Sequence, residues 1–407
     1  MKNDQPILVL DIGSGSVKAL VGYELSSRPV ILHTMQSAYL PVFQGDTILN
    51  PQILAMTIKR LVTDMETHMG FPLNHIEVVI PSYQLNVFHG EKTTNTVDPH
   101  GSIHPMDIQN LHSMFQKEVV KGPFAQVCLV PVAYTIDGQK VSINPPIGEI
   151  TSNILLQAYV QYISQSFFEA LQGIFTMIQM PVKRFLLDGQ GMADLFLSHH
   201  KDMPSAYWIM DHGANATSVH LISQHQLIHT IMLETGAEQL TSYLSTRFGL
   251  SLEKARQLKE KFGYESREPL FNGLVYADDG ITIRQDALNQ ALQEFYEPFI
   301  EEANDALANV DVDQRLQDLR DLPIYFVGGG SQLMGIETLF ASIGLGQGVQ
   351  KPFIKTVGAR TLKSMSTLGG LRFAHRYRLI EDDVRRPISI TRELSSQKRN
   401  FTNYDEE

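Results

Sequence analysis

The sequence predicts an α/β protein built from two related domains. Three observations carry this reading. Apolar runs of strand length alternate with segments of helical period along most of the chain. A strand, acidic turn, strand unit occurs twice, beginning at Leu10-Asp11-Ile12-Gly13 and at Met210-Asp211-His212-Gly213, an internal repeat of whole-domain size. Three turns of small residues stand at the ends of apolar strands: Gly13 with Gly15, Gly213, and the triple glycine 328–330.

Composition bounds the rest. The chain has 407 residues, long enough for two or three lobes. Hydrophobic residues make up 43% and charged residues 19%, which supports a buried core and argues against a disordered chain. The formal charge of −11 argues against a nucleic-acid partner, which needs clustered Lys and Arg. The single cysteine, Cys128, excludes an intramolecular disulfide and a cysteine-built zinc site. It lies in the apolar run 127–132 and reads as a buried strand residue. No apolar stretch approaches the roughly 18–20 residues that span a bilayer. The first apolar run, 7–10, is shorter than the roughly 7–15 residues of a signal-peptide core. These features predict a soluble protein of a reducing compartment.

In chain order, 7–10 and 17–23 read as the arms of a hairpin around the turn 11–16. Residues 51–69 carry a helical pattern with Ile53, Leu54, Thr57, Ile58, Leu61 and Met65 on one face. Residues 76–81 read as a short buried strand and 93–104 as a polar subdomain entry. A helix over 105–120 and strands near 126–136 and 152–163 follow, with a turn at Asp137-Gly138. Next come a helix over 166–180, a strand over 183–187 ending in Asp188-Gly189-Gln190-Gly191, and a helix from Met192. The hairpin then recurs at 207–222. Helices are predicted over 237–249, with Gly249 as C-cap, and over 252–263. A long helix over 286–308 turns Leu288, Leu292, Phe295, Phe299 and Ala303 inward. A strand over 323–327 feeds the triple glycine. Helices over 332–341 and 362–377 close the chain, and a polar tail follows Ile380.

Small residues let backbone N–H groups approach an anion closely, and successive N–H groups form an anion nest. Asp11 and Asp211 open the two hairpin turns, and paired carboxylates facing a polyphosphate suit a hard cation such as Mg²⁺. Lys18 is placed to reach a phosphate as a compact charge. One such loop is ordinary turn chemistry; two matched loops and a triple glycine after a strand point to a bound polyphosphate.

The constellation resembles the actin-like ATPase superfamily. Leu10-Asp11-Ile12-Gly13-Ser14-Gly15-Ser16-Val17-Lys18 is similar to its first phosphate motif. Met210-Asp211-His212-Gly213-Ala214-Asn215-Ala216-Thr217 is similar to the second, and Phe326-Val327-Gly328-Gly329-Gly330-Ser331 to the adenosine motif. Within the superfamily the chain resembles the FtsA family of bacterial division proteins. The evidence is Leu129-Val130-Pro131-Val132-Ala133-Tyr134-Thr135-Ile136-Asp137-Gly138 followed by Asn144-Pro145-Pro146-Ile147-Gly148, similar to the FtsA-type inserted subdomain. The segment 234–263 is also similar, and the resemblance runs from Pro6 to Arg378 with motif order intact.

The resemblance implies actin-like (ribonuclease H-like) duplicated α/β domains around a nucleotide cleft, with an inserted FtsA-type βαβ subdomain. The implied layout is a first domain over 1–84, 165–203 and the closing helix 367–380, with the insert at 85–164. The second domain would take 204–240 and 322–366, with an outer subdomain at 241–321 and a tail at 381–407. ATP and Mg²⁺ are the implied cofactors. Gly13, Ser14, Gly15, Ser16 and Lys18 would hold the phosphates, Gly213, Ala214 and Asn215 would flank the γ-phosphate, and Gly328, Gly329, Gly330 and Ser331 would cradle adenosine. Glu253, Ala255 and Lys259 would lie on the purine side. Asp11 and Asp211 would orient Mg²⁺ through water, and Asp188 would position the attacking water. The implied partners are the C-terminal peptide of FtsZ, other copies of the chain in a filament, other division proteins, and the inner face of the cytoplasmic membrane.

The second phosphate loop departs from the FtsA pattern. Ala214, Asn215 and Ala216 stand where Gly, Gly and Thr are expected, and Ser218 replaces an acidic residue, which predicts weak or absent hydrolysis. His212 reads as a side chain on the outer face of the hairpin. The pilus-assembly family PilM has a similarly reduced loop and is the alternative, although the 131–148 insert weighs against it. A sugar or acid kinase on the same fold is a further alternative; it needs a general base, for which only Asp188 is a candidate. The tail carries Ile388, Ile390, Leu394 and Phe401 among Arg385, Arg386, Arg392, Lys398 and Arg399, and ends in Asp405-Glu406-Glu407. Its apolar area predicts weak membrane contact.

Overall fold

The computed structural model describes residues 6–25, 28–199, 203–266, 272–278, 280–310, 319–345, 348–353, 356–359 and 361–385. The described chain begins β1 (Ile7–Ile12), β2 (Val17–Leu25), β3 (Arg28–Gln36), β4 (Phe43–Gln44), β5 (Thr47–Ile48), α1 (Pro51–Met69), β6 (Ile76–Ile80) and β7 (Asn86–Asn95). It continues through α2 (Pro105–Gln116), β8 (Phe124–Ile136), β9 (Lys140–Ser142), β10 (Asn153–Ser164), α3 (Gln165–Met177), β11 (Arg184–Leu187) and α4 (Asp188–His199). Then come β12 (Ala206–His212), β13 (Thr217–Ser223), β14 (Gln226–Leu233), α5 (Ala237–Phe248), α6 (Leu252–Lys261), β15 (Leu274–Asp278) and β16 (Ile281–Arg284). The last elements are α7 (Gln285–Ala308), β17 (Ile324–Val327), α8 (Ile336–Ser342), β18 (Val349–Gln350) and α9 (Met365–Arg385).

The chain forms two compact units. The first takes residues 6–87, 120–128 and 161–375. It contains two five-stranded sheets, ordered β11-β6-β1-β2-β3 and β14-β13-β12-β17-β18. Both have the same plan: a three-strand antiparallel meander whose first strand also pairs in parallel with a later strand. The two meanders share a register. Asp11 faces Lys18 and Ile12 faces Val17; Asp211 faces Ser218 and His212 faces Thr217. The parallel pairings match too, Asp11 with Val79 and Asp211 with Val327. Each meander slips register at the same place, at Val21/Gly22 and at Leu221/Ile222. The duplication predicted from two short motifs therefore extends through the backbone of both sheets.

Local chemistry explains the helices that frame the sheets. Proline opens α1, where its missing N–H removes no bond, and Gly70 closes it at φ 76° with its N–H on Glu66 O. The helix buries Leu54, Ala55, Ile58, Leu61, Val62 and Met65. Ile53, expected on that face, is 45% exposed, because the buried stripe is centred one position later. Gly249 closes α5 at φ 65°, as expected. The second sheet packs Trp208, Met210, Val219 and Leu221 against Leu240, Leu244, Leu288, Leu292, Tyr296, Phe299 and Phe340 of the surrounding helices.

Several helix boundaries differ from the sequence reading; the helix expected over 332–341 spans Ile336–Ser342, and that over 105–120 ends at Gln116. The helix expected from Met192 begins at Asp188, whose carboxylate accepts the Gly189 N–H at 2.8 Å and so caps its own first turn. The closing helix, expected over 362–377, runs from Met365 to Arg385. The tail residues from Arg386 onward, on which the membrane-contact expectation rests, lie outside the described residues.

The second unit takes 88–119, 129–160 and 376–385. Its sheet is ordered β7-β10-β8-β9 and carries α2. The turn between β8 and β9 has Asp137 at φ 50° and Gly138 at φ 69°, the paired left-handed residues of a tight hairpin. The buried Asp107 ties α2 to its surroundings, accepting the His104 N–H at 2.8 Å and the Val97 N–H at 3.0 Å. Cys128 of β8 is buried. Among the described residues no helix is long and apolar enough to cross a membrane.

Candidate functional site

The two hairpin tips of the first unit open on one cavity of about 550 Å³. Each tip is a tight turn closed the same way. The Gly13 N–H donates to Ser16 O at 3.1 Å, and the Gly213 N–H donates to Ala216 O at 3.0 Å. Neighbouring backbone holds each tip. Leu40 N–H donates to Gly15 O and Val42 N–H to Ser14 O; Ala237 and Glu238 N–H groups, at the start of α5, donate to Gly213 O and Ala214 O. The first-turn donors of α5 are thus used by the second hairpin.

Three carboxylates and one ammonium lie on the floor. Lys18 Nζ donates to Asp11 Oδ2 at 2.8 Å, and Ser366 of α9 donates to the same oxygen at 2.6 Å. Burial alone would lower the Lys18 pKa, but Asp11, Asp211 and Asp188 together hold it above its ordinary value. Asp188 is pushed up to about 7, chiefly by burial; hydrogen bonds from Ser82 and the Gly189 N–H oppose the shift, and the Asp11 charge adds to it. Asp211 is pushed up to about 6 by burial, with Lys18 opposing and Asp188 and Asp11 adding. Ser82 Oγ donates to Asp188 Oδ1 at 2.7 Å, and His220 Nε2 stands 3.7 Å from the same oxygen. Burial pushes His220 down to about 4, so it is neutral at pH 7.

His212 occupies the opposite situation from the one expected. It is fully buried, because its face of the sheet is covered by α7, whose Tyr296 and Phe299 pack against the ring. Its Nδ1 pairs with Thr217 Oγ1 at 2.7 Å and its Nε2 with the Tyr296 hydroxyl at 3.2 Å. Burial pushes it down to about 3, with Lys259 adding to the effect. The ring sits directly beneath the triple glycine: a Cβ on Gly330 would stand 2.0 Å from His212 Cδ2, and one on Gly328 2.1 Å from Asp211 Oδ1. Gly329 meets nothing within 4 Å and faces the cavity.

Of the residues singled out from sequence, Asp11, Gly13, Ser14, Gly15, Ser16, Lys18, Asp188, Asp211, Gly213, Ala214, Lys259, Gly329 and Gly330 line this one cavity. Four do not. Gly328 packs on Asp211, and Ser331 is buried with its hydroxyl on Gly328 O at 2.8 Å, so both shape the loop. Glu253 is exposed two turns before Glu260, about 10 Å along the α6 axis, and Glu260 lines the cavity in its place. Asn215 turns to the first hairpin, donating its N–H to Ser14 Oγ at 3.1 Å and its side-chain amide to Ser14 O at 2.9 Å. Lys259 donates to Ala237 O at 2.7 Å and Thr241 Oγ1 at 2.6 Å, and burial lowers its pKa.

Ser82, Ser366, Tyr39 and His220 were missed by sequence reasoning. Only Ser82 left a trace, as a polar residue directly after the buried strand β6; the others reach the site from distant segments.

The described lining residues offer carboxylate oxygens, hydroxyls and backbone N–H groups, with neither thiol nor imidazole. This donor set suits Mg²⁺ held through water and phosphate oxygen, which requires only one or two carboxylates. Among the described residues no group of three or more His, Cys, Asp or Glu is arranged to hold a metal alone.

The architecture matches solved structures over nearly the whole chain. The PilM-PilN type IV pilus biogenesis complex aligns with a TM-score of 0.54 and 15% identity, covering 92% of this chain and 98% of that one. MreB5 of Spiroplasma citri bound to ADP aligns with a TM-score of 0.55 and 11% identity, covering 93% and 98%. The fold is that of the actin-like ATPases. Within that fold the sequence is similar to FtsA. The cell division protein FtsA of Bacillus subtilis is 22% identical over 386 residues, 92% of this chain and 85% of the relative. FtsA of Streptococcus pneumoniae is 20% identical over 337 residues, 81% of this chain and 72% of the relative. No family model matches the chain. The actin-like plan accounts for the paired sheets, the matched hairpins and the cavity on which they open.

Proposed function

We propose that this chain is an FtsA-like division protein that binds an adenine nucleotide with Mg²⁺ in the cavity between its two hairpins. The observation that carries the nucleotide reading is the convergence of two register-matched hairpin tips, three aspartates and Lys18 on one cavity. Similarity to FtsA across 92% of the chain supports the division role. Gly13, Gly15, Ser16 and Lys18 would hold phosphate oxygens, and Gly329, Gly330 and Lys259 would line the nucleoside end. Asp11 and Asp211 would orient Mg²⁺ through water. When bound, Mg²⁺ would neutralise charge on the phosphate oxygens. Asp188, held by Ser82, would orient a water.

In this reading the chain self-associates through the second unit, binds the C-terminal peptide of FtsZ through the outer part of the second domain, and works at the inner face of the cell membrane. Membrane contact through the tail is weak and salt-sensitive, and becomes appreciable when polymerisation adds avidity.

Two measurements test the proposal. Calorimetric titration with ATP and with ADP, each with Mg²⁺, should give saturable binding that Gly13→Val abolishes. Co-sedimentation with a vesicle-bound FtsZ C-terminal peptide should recruit the chain. Absence of binding by either nucleotide at millimolar concentration removes the nucleotide reading, and absence of recruitment removes the division reading.

A further inference from the structure

The two hairpin tips are joined to each other, and one side chain does the joining. Asn215 donates twice to Ser14, the backbone N–H to Oγ at 3.1 Å and the side-chain amide to the carbonyl at 2.9 Å. Its remaining acceptor, Oδ1, takes the Tyr39 hydroxyl proton at 3.0 Å. Tyr39 is itself held: the Arg256 guanidinium lies 6.0 Å from its ring centroid and pairs with Glu238 at 2.7 Å. Beside this clasp the tips are in van der Waals contact. A Cβ on Gly15 would stand 2.3 Å from the Ala214 Cβ and 3.1 Å from the Tyr39 ring.

A phosphoryl group lodged between two hairpin tips accepts N–H bonds of about 2.7–3.2 Å from each. The tips must then stand apart by the width of the group plus two such bonds. Here they stand one hydrogen bond apart, so the clasp and a phosphoryl group between the tips exclude one another. Away from the tips the same cavity is lined by Lys259, Glu260, Tyr296 and Gly329. In the nucleotide reading above the nucleoside takes that end, which leaves the end of the phosphate chain for the gap between the tips. A phosphate chain that stops short of the gap leaves the clasp intact. One that enters it must first break the two hydrogen bonds from Asn215 to Ser14 and part the Gly15–Ala214 contact before its own oxygens can take the freed donors.

We infer that Asn215 is a specificity residue of this cleft, one that disfavours the terminal phosphate of a nucleoside triphosphate and so favours the nucleoside diphosphate. The inference rests on the nucleotide reading above and adds which nucleotide the cleft prefers. Glycine at this position would keep a backbone N–H but lose the amide bond to Ser14 and the tie to Tyr39.

The test compares dissociation constants for Mg·ADP and Mg·ATP in the parent, Asn215→Gly and Tyr39→Phe. The parent should bind ADP more tightly than ATP. The ratio of the two constants should fall about tenfold or more in Asn215→Gly, the effect of one or two hydrogen bonds of ordinary strength. It should fall by a smaller factor in Tyr39→Phe, whose hydroxyl only orients Asn215 and whose ring stays in place. Amide exchange of Asn215 in nucleotide-free protein gives a second readout: slow in the parent and faster in Tyr39→Phe. Nucleotide binding with a ratio unchanged in both variants overturns the inference and leaves the nucleotide reading standing. Binding of neither nucleotide by the parent or by Asn215→Gly, with the Asn215 amide protected, overturns both. Binding of ATP by Asn215→Gly alone supports the inference in its strongest form.

Discussion

Ser82 Oγ donates to Asp188 Oδ1 at 2.7 Å across 106 residues of sequence, and both side chains are buried. The bond joins the segment just after β6 to the first residue of α4, which follows β11, the strand paired with β6. It is the contact that keeps a carboxylate at the floor of the cavity although burial favours its protonated form.

The raised pKa of Asp188 predicts a pH-dependent stability difference. A carboxyl whose folded pKa lies above its unfolded value binds more protons in the folded state between the two. Its contribution is therefore lost as pH rises, here from the ordinary aspartate range near 3.8 to about 7. Asp188→Asn cannot ionise and keeps an oxygen for Ser82. Nucleotide-free Asp188→Asn should be more stable than the parent at pH 8, by roughly 1–3 kcal/mol, with the gap closing towards pH 4. Urea unfolding at three pH values checks this. A gap that stays constant with pH removes the assignment of a raised pKa.

The two buried histidines work in the opposite direction. His212 and His220 are held below their ordinary pKa, to about 3 and about 4, so their stabilising contribution is present above pH 6.5 and is lost as pH falls. Tyr296→Phe leaves His212 Nε2 without its 3.2 Å partner and should cost about 1–3 kcal/mol. His212→Ala should cost more, about 2–5 kcal/mol, because it also opens a void beneath the triple glycine. Thermal unfolding at pH 7.5 orders the two; equal and negligible losses would show that the ring is dispensable.

The triple glycine separates structural from binding roles. Gly330→Ala places a methyl group 2.0 Å from the His212 ring and should lower the melting temperature by several degrees. At Gly329 a Cβ meets nothing within 4 Å and φ is −63°, so Gly329→Val should leave the fold unchanged while nucleotide affinity drops. Scanning calorimetry paired with nucleotide titration distinguishes them, and a Gly329→Val protein of normal affinity would place the nucleotide elsewhere.

Hydrolysis should be slow. Ala216 and Ser218 line the cavity without supplying the polar and acidic groups expected of the second loop, and Asn215 is turned to Ser14. Turnover is predicted well below the roughly 1–10³ s⁻¹ of typical enzymes. A phosphate-release assay on purified protein decides this, and a steady rate within that range contradicts it.

What was legible in the sequence was local. Asp11 to Lys18 and Asp211 to Ala216 are short motifs whose turn geometry and strand register follow from residues side by side, so both hairpins and their duplication could be read. The triple glycine could be placed at the end of a strand, but not its division of roles. Gly328 and Gly330 are glycines because Asp211 and His212 lie against them; Gly329 and Gly330 both line the cavity, but only at Gly329 would a Cβ meet open space. His212 was assigned to an outer face because polar residues usually alternate outward, and that rule fails in a strand buried on both faces of its sheet. Ser366 and Tyr39 could not be found, since Ser366 reaches Asp11 across 355 residues and Tyr39 reaches Asn215 across 176. Glu253 was chosen by motif position when helix phase and length favour Glu260.

The matched slips at Val21/Gly22 and Leu221/Ile222 mean that the two halves are the same backbone laid down twice, down to its irregularities. Divergence has been confined to what that backbone carries. One tip keeps an ammonium and hydroxyls, Lys18, Ser14 and Ser16; its twin carries methyl groups and one amide, Ala214, Ala216 and Asn215. In the proposed reading the two copies are a hand and a latch: one tip would hold a charged guest, and the other fastens onto it through Asn215 when no guest is there.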